Sequence, residues 1–128
     1  MNAFEFLAAG GVVAAIAVLA YILSGSPKVG SATLAAALSA GFGAFTAITI
    51  AQDGVVQVWT NHTQNFWGVQ VWWDLLFAVG IAAFFIAPRA RAAGMNLLPW
   101  LLFVAATASI GLLAMVARLF WLERRTTP

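Results

Sequence analysis

Polar residues interrupt this chain so rarely that four long apolar stretches stand out, at 6–23, 31–52, 67–87 and 97–121. Each supplies the roughly 20 apolar residues that a helix needs to cross a hydrocarbon core of about 30 Å. The polar and turn-forming residues gather between them. Ser24-Gly25-Ser26-Pro27, followed by Lys28, closes the first stretch, because a proline cannot continue a helix. A run from Pro88 through Arg89, Arg91 and Gly94 to Met95 separates the third from the fourth. Pro99 falls near the start of the fourth, where a missing backbone donor costs least. The pattern predicts an all-α membrane protein: four transmembrane helices in an antiparallel up-down bundle, forming a single membrane domain over the whole chain.

Composition narrows the function classes. Hydrophobic residues make up 63% of the chain and charged residues 8%, against about a quarter charged in soluble domains. That leaves no soluble domain to house conventional chemistry. The net charge of +2 rests on a few arginines and implies anchoring beside a membrane rather than nucleic-acid binding. No Lys or Arg precedes the first stretch, so it reads as a retained helix rather than a signal peptide. Cysteine is absent, which removes disulfides, thiolate metal sites and thiol redox centres.

Basic turns usually face the cytoplasm. Lys28, Arg89 and Arg91 share one side of the expected bundle, while the connection 53–66 carries no Lys or Arg. Arg118, Arg124 and Arg125 fall on the opposite side and contradict a clean assignment. The early helices favour basic turns inside and both termini outside.

Helix packing is expected along the second stretch, where Ala35, Ser39, Gly43, Ala47 and Ala51 recur every four residues. Small residues let helix backbones approach closely in lipid. Gly11 and Ala15 in the first stretch, and Thr107, Gly111 and Ala114 in the fourth, offer facing small surfaces.

Candidate chemistry collects on one face of the expected bundle. It holds Glu5, Gln52, Asp53, His62, Asp74 and Arg118, with Trp59, Trp67, Trp72, Trp73 and Trp121 as interface anchors and only Trp100 on the other face. An aromatic belt accounts for the tryptophans, and a docking surface accounts for their asymmetry. Asp74 stands one turn inside its helix and is expected to pair with Arg118, either as a structural lock or in a relay with Glu5 or Asp53. His62 reads as a solvated loop residue, since a lone histidine without cysteine makes no metal site. Asn61-His62-Thr63 formally fits a glycosylation acceptor. No nucleophilic triad or phosphate-binding glycine loop is present, and no cofactor is expected.

Phe66, Asp74-Leu75-Leu76, the Arg89 to Arg91 turn, Gly94-Met95, Pro99-Trp100-Leu101, Thr107, Gly111 and Leu122-Glu123-Arg124-Arg125 together resemble a family of small uncharacterised bacterial integral membrane proteins, a domain of unknown function. The resemblance covers about residues 66–125 and implies a bacterial inner-membrane location, but no activity. The residues themselves point to a non-enzymatic, multi-pass accessory or structural subunit, in a homo-oligomer or in a respiratory or photosynthetic complex, whose partners are the lipid bilayer and other membrane subunits or itself. The alternative is a small secondary transporter or channel using Asp74 as its ion-coupled acid. Small multidrug exporters have this size, but their key acid lies well inside the first helix, whereas Glu5 is at its mouth. A lipid-modifying membrane enzyme would need clustered acids or histidines that are too sparse here.

Overall fold

A computed structural model describes every residue except 26–28 and 127–128; the expected turn at Pro27 and Lys28 lies outside the described residues. All regular structure among the described residues is helical. The chain divides into two compact units, Met1–Gly30 and Ser31–Pro128.

The first unit is one helix, α1 (Ala3–Leu23). Its start is fixed by a capping box: Glu5 N–H donates to the Asn2 side chain (2.9 Å) and the Asn2 N–H donates to the Glu5 carboxylate (2.7 Å), satisfying two otherwise orphaned donors.

The second unit begins with α2 (Ala32–Asp53), capped by the Ser31 hydroxyl accepting from Leu34 N–H at 3.1 Å. It ends at Gly54, whose φ of +82° suits only glycine comfortably. The connection 53–66 is not an extended loop. It contains a short helix, α3 (Gln57–Thr63), which packs against the start of α4 (Phe66–Ala92). Gly68 makes the corner possible: a Cβ there would stand 2.7 Å from the Asn61 carbonyl oxygen.

α4 runs past its expected end at 87 and through Pro88. Packing of its last turn outweighs the lost backbone donor. Ala90 is fully buried against Met95 and Met115 in the core cluster, and the helix closes in a Schellman turn. Met95 N–H donates to the Ala90 carbonyl (2.9 Å), Gly94 N–H donates to that of Arg91 (3.0 Å), and Gly94 takes φ +82°.

The largest departure from expectation lies at 97–121. This stretch is divided between α5 (Leu97–Thr107) and α6 (Ser109–Thr126), with Ala108 alone between them at φ 53° and ψ −113°. A straight helix would place residue 123 about 39 Å from residue 97. Instead Arg89, tied to the start of α5 through the Schellman turn, holds Glu123 at 2.6 Å. The chain must therefore reverse at Ala108. α5 and α6 form a hairpin that leaves and returns to the same end of α4, with Val104, Met115 and Leu119 buried along its seam and Leu97, Trp100 and Leu112 packed beside them. Since α5 is 11 residues long, the hairpin reaches only about 16 Å, half the thickness of a hydrocarbon core.

Among the described residues there are thus six helices rather than four, of which α1, α2 and α4 are long and apolar enough to cross a membrane. Three such helices and a hairpin replace the expected up-down bundle. The sequence length of 97–121 was right for a crossing; the internal seam of small and apolar side chains favours folding back.

Candidate functional site

The hairpin tip is held by close backbone approach. Gly111 is buried, and a Cβ on it would stand 2.7 Å from the Thr107 hydroxyl oxygen and 2.8 Å from the Phe103 carbonyl carbon and oxygen. Thr107 donates to the Phe103 carbonyl (2.8 Å) while accepting from Gly111 N–H (2.8 Å), so one hydroxyl ends α5 and begins α6. From α2, the Ser39 hydroxyl donates to the Ile110 carbonyl at 2.8 Å. Ala35 and Ser39 are buried where α2 packs along α6, and the position a Gly43 Cβ would take lies 3.9 Å from Ile110. The small-residue face is therefore consumed inside the unit. It does not continue to Ala47 and Ala51, which are exposed; Thr46 is the next half-buried position, because a spacing of four drifts off a 3.6-residue helix.

The expected pairing of Asp74 with Arg118 is not formed: among the described residues, the ion pairs are Arg89 with Glu123 and the Met1 amine with Glu5. Folding back of the hairpin explains this. Arg89 and Glu123 stand level at the ends of α4 and α6; Asp74 lies 15 residues before the first and Arg118 five before the second. The offset along the axes is about 15 Å. Glu5, grouped with Asp74 as a relay, is instead engaged in its helix cap. Asp53 ends α2, exposed.

Asp74 lies eight residues into α4, about 12 Å from its start. It is exposed, without a partner among the described residues, in an open groove lined by Trp67, Gln70, Trp73 and Phe77. Trp73 and Phe77 stack at 5.4 Å between centroids. This face of α4 is turned away from α6, which meets α4 near Ile86 and Ala90.

His62 is not the solvated loop residue expected. It is half-buried on α3 with its ring 5.6 Å from that of Trp72. Its Nδ1 meets the Val58 carbonyl at 2.5 Å; a carbonyl only accepts, so Nδ1 carries the proton. Trp59 packs edge-on against Trp72 at 6.2 Å. Trp59, Trp67, Trp72 and Trp73 thus cluster around α3 and the first turns of α4. Trp121, expected with them, is carried by the hairpin to the Arg89 end, where Trp100 also lies.

Arginines gather at that same end. Arg89 grips Glu123 with two nitrogens, at 2.6 and 3.2 Å, and lies over Phe120 at 5.7 Å. Arg118 and Arg125 each place the guanidinium carbon 4.6 Å from the Trp121 ring centre. The sequence hid this grouping because a crossing helix would have sent Arg118, Arg124 and Arg125 to the other side. Among the described residues no three His, Asp or Glu side chains converge as metal ligands. No family model matches the sequence, and neither a curated protein nor a solved structure matches it.

Proposed function

We propose that this chain is a non-enzymatic, multi-pass protein of a bacterial inner membrane, serving as a structural or accessory subunit that joins its assembly through the α4 face centred on Asp74. The observation that carries this reading is a carboxylate about 12 Å inside a helix of spanning length, on the side its own unit leaves open. Acids at such depth normally face protein or water and find a partner. The described cations of the second unit lie toward the other end of α4, so a second copy placed side by side and parallel offers Asp74 no match. This favours a different membrane subunit, one presenting a donor or cation at that level. A photo-crosslinking residue in place of Phe77, activated in native membranes, is expected to give one discrete heavier product that is weakened by Asp74→Asn.

The same open carboxylate, together with a hairpin whose backbone breaks about 16 Å from its base, supports a second reading as a small transporter or channel. Broken helices at membrane depth line substrate paths in many carriers. Proton-dependent transport by the purified monomer in liposomes, abolished by Asp74→Asn and accompanied by no crosslinked product, would replace the subunit reading.

A further inference from the structure

We propose that Arg118, Trp121 and Arg125 form a binding site for the phosphate headgroup of an anionic phospholipid at the membrane surface. The proposal rests on the membrane location but not on docking through α4.

Return of the hairpin sets these residues at the base of the hairpin, beside the end of α4, and Trp121 is 42% exposed there. An indole at such a level is an interfacial anchor. Both guanidiniums lie 4.6 Å from the centre of its ring, so they are at most about 9 Å apart by that geometry, well inside the mutual repulsion of two unit charges in a medium less polar than water. Neither has a carboxylate partner among the described residues, where Glu123 is engaged by Arg89. Stacking on one ring restrains two long side chains in advance, which removes part of the ordering cost of binding. An anion between them relieves their repulsion, and a guanidinium presents paired donors to phosphate oxygens. Lipid is the source to which the geometry points, because the indole offers an apolar body beside the cations where acyl chains begin.

The test uses the full chain in mild detergent with equimolar phosphatidylglycerol and phosphatidylcholine of identical acyl chains, counting retained lipids by native mass spectrometry. An excess of the anionic lipid is expected. At about fivefold for each arginine near the surface, Arg118→Gln with Arg125→Gln should bring retention close to parity, while Arg91→Gln, on α4, keeps most of the excess. An unchanged excess in the double variant overturns the site. So does an equal fall in Arg91→Gln, which would mean diffuse charge, or displacement of the lipid by equimolar glycerol 3-phosphate, which would mean a soluble ligand. Should the glutamine pair not fold, Arg118→Lys with Arg125→Lys carries the test: it keeps charge but loses flat stacking, and an undiminished excess there overturns the proposal.

Discussion

Replacing Gly111 by alanine tests the reversal at its tightest point. In an ordinary membrane helix the change gains about 1 kcal/mol of helix propensity. Here the new methyl would lie 2.7 Å from the Thr107 hydroxyl and 2.8 Å from backbone atoms of Phe103, roughly an ångström inside the optimal separation. A side chain could swing aside, but the Phe103 carbonyl belongs to α5 and accepts the Thr107 hydroxyl, so the two helices must part. Overpacking of this kind costs about 1–3 kcal/mol, so after the propensity gain the change is expected to fall between neutral and a loss of about 2 kcal/mol. Gly41, on α2 with nothing within 4 Å of its would-be Cβ, is the control and should gain up to about 1 kcal/mol as alanine. Unfolding in mixed micelles titrated with sodium dodecyl sulfate, followed by tryptophan fluorescence, reads both. If Gly111→Ala is as stabilising as Gly41→Ala, α5 and α6 do not approach as described and the hairpin is wrong.

Ala108→Gly should stabilise by up to about 1 kcal/mol, since relief of its positive φ, worth about 1–2 kcal/mol, exceeds glycine's entropic cost. Ala105→Gly, within α5, should instead lose about 1 kcal/mol in the same titration. Ser39→Ala should cost about 0.6 kcal/mol, the scale of a hydrogen bond between membrane helices, whereas Ser39→Leu should cost several times more by forcing α2 off the hairpin; equal effects would refute the close approach. Single cysteines at Ala92 and Thr126 in this cysteine-free chain should react with an impermeant thiol reagent from the same side, and one at Asn65 from the other. Labelling of Thr126 together with Asn65 would restore a fourth crossing.

The helical character, the three long apolar helices and the close-approach face at Ala35, Ser39 and Gly43 were legible from spacing and hydrophobicity alone. The hairpin was not. Nothing at Ala108 marks a positive φ, because alanine ordinarily sits well inside a helix, and Pro99 reads equally well as the start of a crossing helix or of a half-length one. Pro88 suggested an end that packing of Ala90 overrides. α3 was obscured because seven residues of mixed character between two apolar runs look like a connection. Each missed feature depends on contacts distant in sequence, and the Asp74 and Arg118 pairing failed with them, having assumed that α6 runs opposite to α4.

With α2 and α4 as crossing helices, the hairpin also sets how this part of the chain can enter a bilayer. A fourth crossing would oblige the cell to translocate Arg118, Arg124 and Arg125, each expensive in hydrocarbon. A hairpin that dips in and returns leaves those cations on the side where α4 ends, and only its apolar tip must be inserted. α4 can therefore be seated first and the hairpin wedged against α2 and α4 afterwards, without the insertion machinery reopening for a charged tail. On that reading the last step of biogenesis would be a folding reaction within the membrane, held by Ser39 and Gly111 rather than imposed by translocation.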